Sequence, residues 1–328
     1  MKKFLAKSLI LMLTVPVGVG LKGMDVNAAT YNKADSTIVV AKASPTKEGF
    51  YKNSDGTMTV YKNGKVDTSA NGLLFNSKDS KWYMVQNGRV DNKYEGICQN
   101  KYGKWAVKKS TVDFGYNGLF FDSHQRKWYN VEAGKVKTGE TFKENNSGVW
   151  YVGKDGTVDF SKNGVVVIGR FKINVVKGQV TCLELLSTYN GSLKQPYSGP
   201  CAAFAYVLGI NYVTGATHSY TEVYSRSLGC LWNLGHVESM ATGKTEREYC
   251  NEIYNSLLKG KPVIINYEYG NGHEHWVCIM GIKNVKNRKN LHYSDFFCVD
   301  SVYGRERTLT DAWGFNDNSR VYGIKKVY

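Results

Sequence analysis

A strand pattern headed by tryptophan recurs through the first half of this chain at intervals of about 22 to 24 residues. In the clearest copies a glycine follows in a turn, as Gly88 follows Trp82 and Gly134 follows Trp128. Each copy has the signature of a β-hairpin, because an aromatic strand meets a turn such as Asn87-Gly88 and a second short strand begins. One hairpin cannot bury enough apolar surface to be stable alone, so the copies must pack on one another. The repeats predict an all-β hairpin-repeat solenoid.

This pattern resembles the short cell-wall-binding repeats of Gram-positive surface proteins, the choline- and glucan-binding families, over roughly residues 45–183. The resemblance implies a wall ligand held in aromatic pockets between neighbouring hairpins. The core of stacked hairpins needs large aromatic side chains as well, so the sequence leaves both roles open for the same residues. The candidates for contact with a wall ligand are Trp82, Trp105, Trp128 and Trp150.

The first residues have the three parts of a secretory signal. Three lysines precede an apolar run from Leu9 to Gly20, and small residues suited to cleavage end at Ala28. The run is shorter than the roughly 20 residues that a bilayer-spanning helix needs, and we expect no transmembrane segment after it. We therefore predict a signal peptide over residues 1–28 and a secreted protein associated with the cell wall.

The positive charge of the chain is concentrated in the repeats. Residues 30–183 carry 24 Lys and Arg against 14 Asp and Glu, a net charge of +10 out of +15 for the whole chain. An exported basic module attracts polyanions, so bacterial cell-wall polymers are the predicted partner of the repeats. Basic composition without a specific partner is the alternative. We expect no nucleic-acid partner, because the chain leaves the cell.

Three residues of the second half have the order and local setting of a thiol-based catalytic site. Cys201 lies where a loop with glycine and proline runs into an apolar helix, and a helix N-terminus favours the thiolate. His275 lies at the mouth of a buried strand, and Asp300 ends another apolar strand. A cysteine, a base and an acid brought together only by folding are expected of an activated thiol. The alternative for Cys201 is a small buried residue, which free cysteines usually are.

The second half resembles the papain-like cysteine peptidases, and most closely the C39-like group, over about residues 190–328. Gln195 precedes the cysteine at the place where the family has its oxyanion glutamine. A Gly-x-Pro-Val-Ile strand, a His-Trp-Val strand and an Asp-x-x-x-Gly turn follow in the family's order. The resemblance implies an α+β papain-like (C39-like) catalytic domain and a peptide or protein substrate. The catalytic set that it implies is Cys201 as nucleophile, His275 as base, Asp300 as the group that orients the base, and Gln195 as oxyanion donor.

Some details stay open at the level of sequence. His273 is a rival base, because alternation along a strand places it on the same face as His275, although the Trp276 that follows favours His275. Ser301 stands where the family has proline, which can change the loop at the cleft. Seven cysteines are an odd number, so at least one thiol stays free in a monomer. No zinc-site spacing occurs, and we expect neither a metal nor a cofactor.

These observations divide the chain into a signal peptide at residues 1–28, hairpin repeats at 30–183 and a C39-like cysteine peptidase domain at 184–328. The leading hypothesis is an exported peptidase that cleaves peptide bonds through its Cys-His-Asp triad and is targeted to the cell surface by its repeats. An acyltransferase with the same triad is one alternative. A catalytically inactive surface adhesin is the other.

Overall fold

The structure, a computed structural model, describes residues 46–187, 192–316 and 318–328. The predicted signal peptide at residues 1–28 lies outside the described residues. The described chain contains 25 strands and two α-helices, joined by loops and short 3₁₀ helices. Strand pairing therefore governs the fold.

The first part of the described chain forms a 12-stranded antiparallel sheet of short hairpins. Its strands are β1 (Gly49–Lys52), β2 (Met58–Lys62), β3 (Lys65–Val66), β4 (Gly72–Asn76), β5 (Lys81–Gln86), β6 (Arg89–Val90), β7 (Gly96–Asn100), β8 (Gly103–Lys108), β9 (Thr111–Val112), β10 (Gly118–Asp122), β11 (Lys127–Glu132) and β12 (Lys135–Val136). The main path runs β1-β2-β6-β5-β9-β8-β12-β11-β10, and β3, β4 and β7 pair with β2, β5 and β8. Neighbouring hairpins are thus joined in the same way along the chain: the short strands β6, β9 and β12 each pair with the long strand of the preceding hairpin, β2, β5 and β8.

The hairpin turns predicted from the repeats are confirmed. β5 turns into β6 at Asn87 and Gly88, whose φ angles are 49° and 76°. A two-residue hairpin turn of this type needs positive φ at both central positions, which asparagine and glycine adopt at little cost. Gly88 also has no room for a side chain, because an added Cβ would lie 2.4 Å from the carbonyl oxygen of Asp67. The turn therefore fixes the hairpin register.

The hairpins of the first sheet share no single core. Their buried side chains form separate clusters, one around Tyr83 and Val85 and another around Tyr129 and Val131. Each cluster joins only hairpins that are neighbours in the stack. The stability of this region therefore depends on contacts between adjacent repeats.

The rest of the described chain forms an 11-stranded antiparallel sheet, which also takes in the last hairpins of the repeats. Its eleven strands are β13 (Thr141–Asn145), β14 (Gly148–Val152), β15 (Gly164–Ile168), β16 (Phe171–Val176), β17 (Gln179–Leu185), β20 (Ala241–Thr242), β21 (Val263–Glu268), β22 (Glu274–Ile282), β23 (Phe296–Asp300), β24 (Arg305–Thr308) and β25 (Arg320–Lys326). The main path is β13-β14-β17-β22-β21-β25-β20. Two further strands, β18 (Tyr224–Ser225) and β19 (Gly229–Cys230), form a separate two-stranded sheet. The central strand β22 pairs with β17, β21 and β23.

The described residues contain two α-helices, and the first begins at Cys201, as the sequence predicts. The first, α1 (Cys201–Thr214), ends before Gly215, whose φ of 75° is the left-handed conformation that commonly closes a helix. The second, α2 (Glu246–Leu257), begins after Thr245, which forms a capping box with Glu248. Both helices pack on the 11-stranded sheet and contribute to one hydrophobic core. Within the described part of the chain, neither helix has the length and apolar character needed to cross a membrane.

The predicted fold class, an α+β papain-like (C39-like) domain preceded by an all-β hairpin-repeat solenoid, is wrong. Among the described residues, α-helix is confined to α1 and α2, and strands dominate both halves. The hairpins do not close into a solenoid either, because Leu183 and Glu184 of β17 pair with Ile282 and Gly281 of β22. This pairing satisfies backbone groups that a free sheet edge would leave exposed. It joins the last repeats and the second half in one sheet.

The main core crosses the same junction. Val149 and Tyr151 of β14 belong to one cluster of buried side chains with Val207 of α1 and Ile264 of β21. The apolar faces of the last hairpins are thus buried against the helices and strands that follow. The division into repeats at 30–183 and a second domain at 184–328 stays a prediction.

Replacing Gly281 with alanine should destabilise the junction between β17 and β22. A Cβ there would lie 2.8 Å from the carbonyl oxygen of Leu183, a backbone atom of the paired strand. We expect the free energy of unfolding, measured by urea titration, to fall by about 1–3 kcal/mol, which is usual for overpacking. Gly115→Ala is the matched control, because the nearest atom to its added Cβ is a side-chain oxygen at 3.5 Å. Equal losses in the two variants would contradict this explanation.

Candidate functional site

Cys201 is the first residue of α1 and is only 8% exposed. Gly199, with a φ of 124°, and Pro200 turn the chain sharply into the helix. The first turn of α1 has no acidic side chain and no side-chain cap. The first N–H groups of a helix have no intrahelical partner and carry partial positive charge. This end of α1 therefore presents unpaired N–H groups and partial positive charge beside the Cys201 sulfur.

His275 and Asp300 lie side by side in the core, on the paired strands β22 and β23. Nε2 of His275 is 3.0 Å from Oδ1 of Asp300, and the two residues are 3% and 0% exposed. The backbone N–H of Val302 donates to Oδ1 at 2.9 Å, and that of Trp313 donates to Oδ2 at 2.6 Å. These bonds fix the carboxylate. Because Nε2 faces Asp300, Nδ1 is the ring nitrogen left for Cys201, which lies close enough to His275 to raise its pKa.

The electrostatics of this group favour a charged imidazole. Burial by itself lowers the pKa of His275, but hydrogen bonds to Asp300 and Cys201 outweigh it and raise the pKa to about 9. Burial likewise favours a neutral Asp300, yet the bond to His275 and the two backbone N–H donors keep the pKa of the carboxyl below its usual value. The arrangement therefore stabilises an imidazolium at His275 beside the Asp300 carboxylate.

The triad opens onto a cleft of about 400 Å³, and Gln195 lines it. Oε1 of Gln195 accepts a hydrogen bond from Oγ of Ser301 at 2.7 Å, and its backbone N–H donates to the carbonyl oxygen of Ser301 at 2.8 Å. Since Ser301 holds the oxygen of this amide, its NH₂ group remains available as a donor. Besides Gln195, Cys201 and His275, the cleft is lined by Ser198, Gly199, Ala202, Gly229, Cys230, Trp232, Tyr269, His273, Glu274, Trp276, Val302 and Trp313.

Burial keeps the other six thiols in their neutral, weakly nucleophilic form. All seven cysteines are free in the structure. Burial raises the pKa of each of the six, to about 11 for Cys182 and for Cys230, which lies in the same cleft. Cys278 and Cys298 are fully buried within β22 and β23. A thiol reagent should therefore discriminate Cys201 from the rest.

The structure separates the two candidate bases. His273 is exposed, precedes β22 instead of lying within it, and stacks on Tyr269 with ring centroids 5.7 Å apart. The expected strand alternation therefore does not apply to it. His273 lies at the rim of the cleft, whereas His275 is brought together with Cys201, Asp300 and Gln195.

Each candidate tryptophan of the repeats packs against a phenylalanine. The tryptophans are half-buried, while the phenylalanines are 45% to 50% exposed. Each pair therefore supports the hairpin on one side and presents an apolar ring to solvent on the other. These four aromatic pairs, with ring centroids 5.1 to 5.5 Å apart, are Phe75–Trp82, Trp105–Phe114, Phe121–Trp128 and Trp150–Phe160.

Sequence reasoning missed two features of these sites. Ser301 is treated there only as a departure from a proline, but its hydroxyl holds Gln195. The exposed phenylalanines are also missed, although the signal is present, since Phe75 and Phe121 face Trp82 and Trp128 across equivalent strand pairs. A repeat pattern defined by tryptophan and tyrosine does not include these phenylalanines.

The rate of alkylation should report the raised pKa of His275. Its imidazolium persists through neutral pH and is lost as the pH rises through about 9, whereas an ordinary histidine loses it near about 6.5. The imidazolium attracts iodoacetate, which is negatively charged, more than neutral iodoacetamide. We expect the ratio of the two rates at Cys201, followed by mass spectrometry, to be high at pH 7 and to fall across pH 9. His275→Gln should abolish this step. Alkylation only above about pH 8.5, as for free cysteine, would contradict an activated pair.

Comparison with known proteins gives a limited result. No family model and no curated protein matches the chain. Among solved structures it is similar to CbpJ from Streptococcus pneumoniae TIGR4, with 16% identity, a TM-score of 0.23 and coverage of 47% of this chain and 52% of that one. It is also similar to choline binding protein F from Streptococcus pneumoniae, with 15% identity, a TM-score of 0.24 and coverage of 51% and 52%.

A third similar structure is alternansucrase in complex with isomaltononaose, with 12% identity, a TM-score of 0.23 and coverage of 77% of this chain and 17% of that one. The chain spans about half the length of the two pneumococcal proteins. A choline-binding protein is thus among the structures it resembles. At these TM-scores the likeness does not establish a common fold.

Proposed function

We propose that this protein is a surface-associated cysteine peptidase whose catalytic set is Cys201, His275, Asp300 and Gln195. The observation that carries the proposal is the buried contact of 3.0 Å between His275 and Asp300, in a cleft that His275 lines together with the thiol at the start of α1. A cleft beside the thiol gives a substrate access to it. Nucleophile, base and orienting acid are then arranged in the order that thiol catalysis needs.

The chemistry follows from these positions. The Cys201 thiolate attacks the carbonyl carbon of the peptide bond, and the oxygen that becomes negative receives hydrogen bonds from the Gln195 amide and the Cys201 N–H. The His275 imidazolium protonates the leaving amine, which leaves an acyl-thioester on the cysteine. The neutral imidazole then accepts a proton from the water that hydrolyses the thioester. Asp300 holds the ring so that Nδ1 faces the sulfur in both stages.

An epoxysuccinyl probe tests the proposal, because it alkylates activated cysteines of this kind. We expect labelling of the folded protein that is lost in Cys201→Ala and retained in Cys230→Ala and Cys250→Ala. Cys230 is the demanding control, since it lies in the same cleft. If no folded preparation is labelled between pH 5 and pH 9, the second half is a binding scaffold and the peptidase proposal fails.

An acyltransferase would pass through the same acyl-thioester and would also be labelled. The fate of the acyl group separates the two activities. Incubation with a peptide library, with and without an added primary amine, should give free carboxylates as the main products of a peptidase. Amide products that dominate at low amine concentration would assign the protein to acyl transfer.

We infer a second function for the repeats, which is binding to bacterial cell walls. The four aromatic pairs expose apolar rings along the hairpins, and residues 30–183 carry a net charge of +10. Exposed rings of this kind suit stacking on sugars or cationic headgroups. The charge suits long-range attraction to wall polyanions. Export and attachment to the surface are part of this proposal.

Replacing Phe121 with alanine should reduce retention on purified cell walls several-fold if the aromatic pairs contact the wall. Phe121 is 45% exposed, so its loss should leave the hairpin folded. Val167→Ala, at an exposed position outside the pairs, is the control. Measurements across salt concentrations add a second criterion, because attraction between charges weakens once the Debye length falls below about 8 Å. If retention is unchanged in Phe121→Ala but falls steeply as the salt concentration rises, binding depends on charge and not on the aromatic pairs.

A further inference from the structure

A second cavity lies away from the catalytic cleft, where the last repeats meet the second half. It has a volume of about 820 Å³ and opens between the β13–β14 hairpin, α2 and the 3₁₀ helix Val285–Asn290. Four cationic side chains line it against one carboxylate, that of Glu144. We call this cavity the basic groove; its cations are Arg247, Lys286, Arg288 and Lys289.

The wall of the basic groove is held rigidly. Glu144 accepts hydrogen bonds from Arg288 at 2.6 Å and from the buried hydroxyl of Tyr254 at 3.0 Å. Arg288 also donates to Asn255 at 3.2 Å. Trp150 donates to Asn145 at 3.1 Å and so fixes the tip of the hairpin. The single carboxylate is thereby committed to Arg288 and Tyr254.

The remaining three cations are not neutralised by the protein. Within the described ranges, no carboxylate lies within ion-pair distance of Arg247, Lys286 or Lys289. All three are exposed, and they come from two different elements on either side of the groove. Like charges gathered around one concave surface repel one another, so an anion bound between them would relieve that repulsion.

We propose that the basic groove binds a phosphodiester-linked polyol polymer. Lysine and arginine are strong partners of phosphate oxygens, and cations on two separate elements suit a ligand that carries more than one charge. Asn146, Ser147 and Asn251 also line the groove and supply uncharged polar groups. Such groups donate to and accept from hydroxyls, which a polyol supplies between its phosphates. This site is separate from the catalytic cleft, and Trp150 is the member of the aromatic pairs that bonds to its wall, through Asn145.

Synthetic poly(glycerol phosphate) of defined length is the probe, and binding to the full chain is measured by isothermal titration calorimetry. We expect the double substitution Lys286→Gln with Lys289→Gln to weaken binding at least about tenfold, because two charge-assisted contacts are lost. Lys62→Gln with Lys65→Gln is the matched control, since it removes the same charge from an exposed hairpin of the first sheet. Thermal unfolding of each variant verifies that the fold is kept.

Each result of this experiment is decisive. Selective loss in the groove variant supports the proposal, and equal loss in the two double variants overturns it in favour of diffuse charge. Binding of polyglutamate of matched charge with equal affinity overturns the phosphodiester assignment, as does a failure to bind the probe. Unchanged binding of the probe in Cys201→Ala and Phe121→Ala would show that the groove acts independently of catalysis and of Phe121. Failure of either proposed function would then leave the groove proposal intact.

Discussion

Asp300→Asn should slow peptide hydrolysis by up to about 10⁴-fold, the loss seen when the same change disrupts a catalytic triad. Asp300 accepts three hydrogen bonds, from His275 and from the backbone N–H groups of Val302 and Trp313. An asparagine must turn its NH₂ group toward at least one of these donors. The imidazole then loses either its orientation or its tautomer. Loss of the negative charge also lowers the pKa of His275, because Asp300 is one of the groups that raise it.

The second-order rate of epoxysuccinyl labelling provides a measurement that needs no known substrate, and peptide hydrolysis provides another. Both should fall in Asp300→Asn while its circular dichroism spectrum stays native. Asp311→Asn is the control, because it makes the same chemical change at an exposed position nearby in the chain. Unchanged labelling in folded Asp300→Asn would transfer the orienting role to another residue.

Gln195→Ala should lower kcat for peptide hydrolysis by about 10²–10³-fold, the usual effect of removing one oxyanion donor. Ser301 holds the Gln195 side chain by its Oε1, which leaves the amide NH₂ for the developing oxyanion. Alkylation by iodoacetamide involves no oxyanion. Its rate at Cys201 should therefore be nearly unchanged, whereas Asp300→Asn should slow both reactions.

This difference between hydrolysis and alkylation is the test of the Gln195 role. Ser198→Ala is the control, since Ser198 also lines the cleft and has an exposed side chain. If Gln195→Ala slows alkylation as much as hydrolysis, then Gln195 supports the structure of the loop and is not an oxyanion donor. If it slows neither reaction, another group stabilises the oxyanion.

Local patterns in the sequence predicted local structure well. The Asn87-Gly88 turn and the helix that starts at Cys201 are both confirmed. In each case the cause lies within a few residues of chain: positive φ at the two central residues of the turn, and a loop with glycine and proline that leads directly into an apolar run. Predictions of this kind do not depend on what packs against the element.

The fold class depended on pairing between distant segments, and there the prediction failed. Hairpin repeats can stack as a solenoid or join another sheet, and their periodicity is the same in both cases. What decides is the partner of the last strand. β17 has apolar residues at Val180, Leu183 and Leu185, and β22 buries them in the main core. No local feature of the β17 sequence predicts that β22 will be its pairing partner.

By itself, the sequence determined the hairpin repeats, the helix that begins at Cys201, the uneven charge and the identity of the residues that could form a thiol site. Tertiary structure alone decided three further things. It joined the last hairpins to the second-half sheet, it buried His275 beside Asp300 while leaving His273 exposed, and it gathered separated cations into the basic groove. The physical reason is common to all three: burial and electrostatic environment depend on contacts between residues far apart in the chain, whereas turn and helix signals depend on neighbours.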